Sequence, residues 1–129
     1  MARTKRIIVR ESELQKTAVL MLQRLDWSVC VRKVGAVKIA NRFIRFEVPG
    51  RSDLYGTVGR GDGRHFEIEM KRLGKKPSAV QLVWLKDHNN AHNVAFWVDN
   101  LETLYRVALH VQGGGSIEFT GYGCDFDLV

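Results

Sequence analysis

The segment HFEIEMK, residues 65–71, restricts the possible folds of this chain more than any other stretch of the sequence. Polar and apolar residues alternate along it without a break, in the order His65, Phe66, Glu67, Ile68, Glu69, Met70, Lys71. Because successive side chains of a β-strand point to opposite faces, the pattern predicts a strand with one apolar and one charged face. The charged face is either a solvated sheet surface or a place where carboxylates act together with a lysine.

The segments before this strand predict one helix followed by strands. Residues 12–25 carry apolar side chains at helical spacing, and Ser12 with Gln15 three positions later predicts a capping box at the start of that helix. Aromatic and β-branched residues are enriched at 27–33 and 42–47, which is typical of strands. We therefore expect the first part of the chain to supply a helix and the first strands of a sheet.

A glycine-rich loop at 59–63 makes residues 52–57 and 64–71 the two arms of a predicted hairpin. That pairing brings Asp53 within reach of Glu69 and Lys71 on the neighbouring arm. Carboxylates that converge on one point repel each other, and a hard divalent cation with oxygen ligands relieves the repulsion. A lysine at such a place orients a water or stabilises charge on a phosphate. Asp53 is alternatively an ordinary turn residue after Pro-Gly.

The segments after this strand predict a helix, a strand and a second helix. Ser78 and Gln81 form another capping box, and the basic loop before it leads to a helix N-terminus that suits a phosphate. Residues 94–98 are an apolar run of strand length, and Asp99 is the predicted N-cap of a last helix, which Gly113–Gly115 ends. The order of elements predicts an α/β fold, a mixed sheet flanked by helices. We expect Trp84 and Leu85 in its core.

The chain length and composition predict one domain, residues 1–112, followed by an acidic tail at 113–129. The tail is docked on the domain, with a further strand, or lies at a dimer interface. No apolar run approaches the ~20 residues that span a bilayer, and the N-terminus lacks the apolar stretch of a secretory signal. We therefore expect a location in the cytoplasm of a bacterial or phage-infected cell. The cysteines, Cys30 and Cys124, form no CxxC pair, and His88, His92 and His110 lack metal-ligand spacing.

Positive charge is concentrated in the first part of the chain. Residues 1–76 contain 18 of the 20 Lys and Arg and 8 of the 14 Asp and Glu, a net charge of +10 against −4 for the remainder. The first ten residues are rich in basic side chains and predict a flexible arm or an edge strand around Ile7. A basic excess confined to one region suits a polyanion such as nucleic acid, although ordinary solubilising charge gives the same signal.

Taken together, these motifs resemble the PD-(D/E)xK nuclease superfamily and, more narrowly, the stand-alone virus-type replication-repair nuclease (VRR-NUC) domain. The similarity covers most of the chain, from the first helix to about Val111. It is carried by Gly50-Arg51-Ser52-Asp53-Leu54, Glu69-Met70-Lys71, the basic loop, Ser78, Gln81, Trp84-Leu85 and the leading Glu-x-x-Leu-Gln. One position departs from the family pattern, because Ser52 stands where a proline usually precedes the aspartate.

The resemblance implies a restriction-endonuclease-like core and an enzyme that depends on Mg²⁺ or Mn²⁺. Asp53 and Glu69 would be metal ligands together with the backbone carbonyl of Met70, and Lys71 would act on the water. Further residues that match the family pattern are Gln81, near the metal, and Glu11, the acid of the first helix, with Glu13 as the near alternative. Glu67 shares the charged face and either binds a second ion or, as we favour, has a supporting role. His65 is expected at the surface.

The function expected from this resemblance is a structure-selective DNA endonuclease that acts on branched DNA like a Holliday-junction resolvase, as a homodimer. The predicted DNA contacts are Arg3, Lys5, Arg6, Arg51, Lys75, Lys76 and Ser78. A low-specificity nicking or restriction-like nuclease is the alternative within enzymes. A non-catalytic nucleic-acid-binding module is the alternative outside them, and it explains the charge but not the convergence of Asp53, Glu69 and Lys71.

Overall fold

The computed structural model describes residues 10–32, 35–40, 42–46 and 50–129, with residues 35–39 and 42–46 described by their backbone alone. The chain is an α/β protein with three helices and a mixed four-stranded sheet. The helices are α1 (Glu11–Arg24), α2 (Ala79–Asn90) and α3 (Leu101–Gln112). The strands are β1 (Ser28–Val31), β2 (Gly35–Ile39), β3 (Arg42–Phe46), β4 (Leu54–Thr57), β5 (His65–Met70), β6 (Val94–Val98), β7 (Ile117–Phe119) and β8 (Phe126–Leu128).

The four-stranded sheet has the order β1-β4-β5-β6, so the alternating segment is an inner strand. Strands β1, β4 and β5 are antiparallel, and β6 is parallel to β5. The predicted hairpin is confirmed, since β4 and β5 pair with Leu54 opposite Ile68. Gly56 permits the pairing of β4 with β1, because a Cβ at this position would lie 1.8 Å from the carbonyl oxygen of Ser28. Strands β2 and β3 form a separate two-stranded antiparallel sheet.

The hydrophobic core fills the space between one face of this sheet and the helices α1 and α3. The apolar positions of β5 point into it, as their alternation predicts. Its fully buried members include residues of both helices and of the strands β5 and β6: Ala18, Leu22, Phe66, Ile68, Met70, Phe96, Leu104, Ala108 and Val111. The charged face of β5 therefore lies on the opposite side of the sheet, where α2 packs against β5 and β6.

Two of the predicted helix starts are wrong, and one is confirmed. Helix α1 begins at Glu11 after Arg10, which has no side-chain cap, so Ser12 is an exposed residue inside the first turn. The cap of α3 is Asn100, whose Oδ1 accepts the N–H of Thr103 at 2.8 Å. Asp99 instead accepts hydrogen bonds from the backbone of Gly74 and the amide of Asn100. Spacing alone does not distinguish the capping residue from its neighbours.

The acidic tail folds into the antiparallel hairpin β7–β8, which packs on the edge of the domain at β6 and α2. The side chain of Ile117 is buried, and Phe126 lies with its ring centroid 6.1 Å from that of Phe96. The indole N–H of Trp97 donates to the carbonyl of Cys124 at 2.8 Å. The tail is therefore docked on its own domain, and its part in a dimer stays a prediction.

The predicted N-terminal arm around Ile7 lies outside the described residues. None of the helices in the described ranges is both long and apolar enough to pass through a lipid bilayer. Cys30 and Cys124 are free thiols.

Candidate active site

The charged face of β5 is buried rather than solvated. The relative exposure of Glu67 is 0% and that of Glu69 is 3%, because α2 lies over this face. Trp84, which we expected in the hydrophobic core, belongs here instead, and its indole N–H donates to Glu67 Oε1 at 2.8 Å. Leu85 is fully buried, as predicted. Burial of an unpaired carboxylate has a high free-energy cost, so we expect Glu67 and Glu69 each to be paired with a polar or charged group or to bind a cation.

Asp53 and Glu69 lie side by side on this face. Leu54 is opposite Ile68 in the β4–β5 ladder, so the next step outward along the pair places Asp53 opposite Glu69. Asp53 Oδ2 accepts the backbone N–H of Met70 at 3.0 Å, which ties the aspartate to β5 just before β4 begins. The sequence prediction that these two acids converge therefore agrees with the geometry.

The electrostatics of the pair reflect burial of both acids and, for Glu69, the charge of Asp53 as well. Burial, followed by the charge of Asp53, raises the pKa of Glu69 to about 7. Burial also raises the pKa of Asp53, against the lowering effects of the Met70 N–H and the charge of Lys71. Glu69 Oε2 is buried and has no hydrogen-bond partner in the described structure. An unsatisfied carboxylate oxygen beside a second carboxylate is a natural position for a cation.

Lys71 and Gln81 both contact the other oxygen of Glu69. Lys71 Nζ lies 3.2 Å from Glu69 Oε1, and the Gln81 side-chain amide donates to the same oxygen at 2.9 Å. Gln81 also completes the predicted capping box with Ser78, which is confirmed. Both roles proposed for this glutamine are thus compatible, because its carbonyl oxygen accepts from the Ser78 N–H while its amide reaches Glu69.

The peptide group of Met70 faces the same place. The N–H of Lys71 donates to the carbonyl of Val98 in β6 at 2.9 Å. Because neighbouring residues of a strand direct their peptide groups to opposite sides, the N–H and C=O of Met70 point toward β4 and Asp53. The hydrogen bond from Met70 to Asp53 fits this orientation. The carbonyl of Met70 is therefore directed toward the side from which a third oxygen ligand would come.

Glu11 lies at the edge of this arrangement. Its Oε1 accepts the backbone N–H of Arg72 at 3.3 Å, and its negative charge contributes to the raised pKa of Asp53. It does not join Asp53 and Glu69 in a group whose ligand atoms all lie within 4.8 Å of one another. Glu13 is an exposed residue of the same turn. Of the two acids, Glu11 is thus the one whose charge acts on the pair.

Glu67 is the centre of a second network next to the first. Arg32 donates to both carboxylate oxygens, at 2.5 Å from Nη1 to Oε1 and at 3.2 Å from Nη2 to Oε2. The hydroxyl of Ser52 lies 3.2 Å from Oε1, and His65 Nε2 lies 2.7 Å from Oε2. Burial alone raises the pKa of Glu67, but the hydrogen bonds of this network and the charge of Arg32 hold it below its usual range.

His65, Glu67 and His88 form a group that could hold a metal ion, since their ligand atoms lie within 4.8 Å of one another. By its spacing in the sequence, His88 is not a candidate metal ligand, and His65 is expected at the surface. His65 is half-exposed, but its ring contacts Glu67 and lies 5.9 Å from that of His88, centroid to centroid. Spacing in the sequence does not reveal this group, because β5 and α2 bring together residues that are distant in sequence. The bidentate contact with Arg32 competes with an ion at Glu67.

The predicted phosphate-contacting residues that the structure describes are exposed and belong to the chain segments that carry Asp53 and Gln81. Arg51 is exposed two positions before Asp53. Lys75 and Lys76 are exposed in the loop that runs from β5 to the helix carrying Gln81, and this loop ends at the N-cap Ser78. The other three predicted contacts lie outside the described residues: Arg3, Lys5 and Arg6.

Sequence reasoning missed Arg32, Ser52 as a buried polar residue, and Trp84 as a hydrogen-bond donor. In the sequence, Ser52 is only a departure from the family motif, in which a proline usually precedes the aspartate. The alternation of β5 indicates which residues share a face. It does not identify Arg32, which follows β1 directly, as the partner of Glu67.

Comparison with protein-family models, with curated proteins and with solved structures finds no match for this chain.

Proposed function

We propose that this protein is a metal-dependent DNA endonuclease that hydrolyses phosphodiester bonds, with a restriction-endonuclease-like core of the PD-(D/E)xK type. The observation that carries the proposal is the convergence of Asp53, Glu69 and Lys71 on the buried face of β5, where one oxygen of Glu69 has no hydrogen-bond partner among the described residues. The similarity to the VRR-NUC motif supports the same assignment. A surface that only binds nucleic acid has no need of a buried carboxylate with a second, half-buried carboxylate beside it.

The residues present fit a hard divalent cation such as Mg²⁺ or Mn²⁺. Asp53 and Glu69 offer carboxylate oxygens and Met70 a carbonyl oxygen, which are the ligand types that these ions prefer. Burial is the main cause of the raised pKa values of both acids, and a bound cation would favour their charged forms. When bound, the ion supplies Lewis-acid stabilisation of the charge that builds up on a phosphate during hydrolysis.

The chain's own residues would carry out the remaining tasks. Lys71 keeps an ammonium beside Glu69, in a position to donate a hydrogen bond to a water or to a phosphate oxygen. Gln81 holds Glu69 Oε1 in place, and the capping box in turn holds Gln81. Glu11, which accepts the backbone N–H of Arg72, adds negative charge at the edge of the site.

The substrate class follows from the charge around the site. The net charge of residues 1–76 is +10, and Arg51, Lys75 and Lys76 are exposed on the chain segments that lead to Asp53 and Gln81. Such side chains contact phosphates and recognise the course of the backbone rather than base sequence. We propose branched duplex DNA as the substrate, cut symmetrically as by a Holliday-junction resolvase. A homodimer would place two active sites about a two-fold axis.

A cleavage assay tests the proposal. A labelled four-way junction and a linear duplex of the same sequence are incubated with the protein, with Mg²⁺, Mn²⁺ or chelator. Paired, symmetric cuts in the junction that require metal are expected. Equal cutting of both substrates would favour the low-specificity nuclease, and binding without cleavage would favour the binding module.

Matched variants test the site itself. We expect Asp53→Asn and Lys71→Met each to lower the cleavage rate at least about 100-fold, because the first removes the charge of a metal ligand and the second removes the ammonium that acts on the water or the phosphate. DNA affinity should change little, since the exposed basic residues remain. Glu118→Gln removes an exposed acid remote in sequence from the site and serves as the control that should cleave normally. Normal cleavage by either active-site variant would refute the assignment.

A further inference from the structure

The chain segments that carry the candidate active site meet at a carboxylate that is not part of it. Glu67 is two residues before Glu69 on the same face of β5. The hydroxyl of Ser52, which directly precedes Asp53, lies 3.2 Å from Glu67 Oε1. Trp84, one turn after Gln81 on α2, donates to the same oxygen at 2.8 Å. Each segment that presents an active-site side chain is thus attached to Glu67 by a neighbouring residue.

Arg32 connects this carboxylate to the backbone on both sides of Asp53. Its guanidinium binds both oxygens of Glu67, and its Nη1 also lies 3.3 Å from the carbonyl oxygen of Ser52. Its backbone N–H donates to the carbonyl of Asp53 at 2.9 Å. The two peptide groups that flank the Cα of Asp53 are therefore both held by one arginine.

The side chain of Arg32 has little freedom to move. Its guanidinium carbon lies 4.2 Å from the ring centroid of Tyr55 and 5.4 Å from that of Trp84. An arginine that is packed between aromatic rings and paired with a carboxylate at two points has a fixed orientation. Because Arg32 also contacts Ser52, the fixed orientation of this pair restricts the position of Ser52 and of the aspartate that follows it.

We propose that Glu67 and Arg32 are positioning residues that fix the distance between Asp53 and Glu69. The proposal rests on the proposed function, because the geometry that they maintain is that of the metal ligands. Residues outside the ligand set that orient ligands typically contribute 10–100-fold to metal affinity or activity. This role also explains the buried hydroxyl at position 52, which fixes the chain direction before Asp53 by hydrogen bonds.

Direct metal binding by Glu67 is the competing role. The geometry favours positioning, because Oε1 already lies near donors from Arg32, Ser52 and Trp84, and Oε2 near donors from Arg32 and His65. A carboxylate offers about four lone-pair positions in total. An ion coordinated by Glu67 and the two histidines would have to displace at least one of these donors.

Binding of Mn²⁺ to the purified full-length protein tests the proposal, measured by isothermal titration and by electron paramagnetic resonance. We expect one ion per chain in the wild type, abolished by Asp53→Asn. We expect Glu67→Gln and Arg32→Met to bind the same number of ions about 10–100-fold more weakly. His65→Ala and His88→Ala should bind Mn²⁺ as the wild type does.

The double variant Arg32→Met with Glu67→Leu separates positioning from simple support of the fold. Replacing a buried ion pair by apolar side chains often restores stability that a single substitution loses. We expect unfolding in urea to show such a recovery relative to Glu67→Gln, while the affinity for Mn²⁺ stays low. Recovery of affinity together with stability would mean that the pair only supports the fold, and the proposal would be wrong.

The remaining outcomes are distinguishable. A wild-type protein that binds no Mn²⁺, or binds it equally after Asp53→Asn, overturns the proposed function and this inference with it. Unchanged affinity in Glu67→Gln, with wild-type binding that depends on Asp53, overturns the positioning role alone. A second ion that disappears in Glu67→Gln, His65→Ala and His88→Ala would make Glu67 a ligand and also refute that role.

Discussion

Glu69 is a buried acid beside another acid, and this couples the stability of the metal-free protein to pH. Its pKa is about 7 in the folded chain against an ordinary value of 4.5. Between these values the folded state holds a proton that the unfolded state has released. The titration of Glu69 therefore does not change the free energy of unfolding below about pH 4.5. Above this pH it lowers the free energy of unfolding as the pH rises toward 7.

Glu69→Gln should remove this pH dependence. In the presence of chelator, we expect the variant to gain on the order of 1–3 kcal/mol relative to the wild type between pH 5 and pH 8. Urea unfolding of both proteins at several pH values measures the difference. The variant should also lose metal binding, so that a loss of function accompanies a gain of stability.

The comparison between the two proteins is necessary because His88 titrates in the opposite sense. Burial lowers its pKa below 6.5, so its contribution to stability increases as the pH rises toward 6.5. Subtracting the wild-type curve from that of the variant cancels this contribution. The difference then reports Glu69 together with Asp53, whose titration is linked to it. Parallel curves for the two proteins would contradict the raised pKa.

The positions of individual site residues are predictable from the sequence where the local pattern of polar and apolar residues determines which face of a strand they occupy. The alternation of residues 65–71 places Glu67 and Glu69 on one face, and the hairpin places Asp53 beside them. The pattern does not predict that this face is covered by α2. Nor does it predict Arg32, which comes from the end of β1 and reaches Glu67 diagonally across β4. Contacts between strands that are not adjacent follow from tertiary packing.

At the level of elements, the two apparent capping boxes have different outcomes. Ser78 and Gln81 form the full pair of hydrogen bonds at the start of α2, whereas Ser12 lies inside α1 and caps nothing. The sequence signal is the same in both places. What differs is that Gln81 has a second partner in Glu69, and that α1 begins one residue earlier, at Glu11.

Ser78→Ala should therefore destabilise the protein, and Ser12→Ala should not. We expect a loss of about 1 kcal/mol for the first substitution, the usual contribution of an N-cap hydroxyl. The second, at an exposed position, should stay within about 0.5 kcal/mol of the wild type. Urea unfolding gives both values. Equal effects of the two substitutions would mean that the caps are not as described.

At the level of the whole molecule, the C-terminal hairpin is part of the folded domain rather than an appendage. Its residue Ile117 is 7% exposed and belongs to the main core, whereas Tyr122 at its tip is 104% exposed. Arg64, in the loop between β4 and β5, donates to the carbonyls of Val111 and Gly115 at 3.0 and 2.7 Å. The break at Gly113–Gly115 predicts a separately docked segment. The sequence does not predict where it docks, because the spacing of its few apolar residues gives no indication of what they contact.

Ile117→Ala should destabilise the protein by about 2–4 kcal/mol, because it removes a buried side chain from the core. Tyr122→Ala in the same hairpin is the control and should have an effect below about 0.5 kcal/mol. Thermal or urea unfolding of the two variants gives the comparison. A small effect at Ile117 would show that the hairpin detaches from the domain in solution.

The hairpin is attached by side chains and by loop carbonyls, while its strands form their own sheet. No strand register links it to β6, so a different cover of similar volume at this edge would leave the pairing of the four central strands intact. The carboxylate pair lies on one face of that sheet, with Asp53 just before β4 and Glu69 on β5. The C-terminal cover is therefore open to replacement, together with whatever it touches, without rebuilding the Asp53–Glu69 pair.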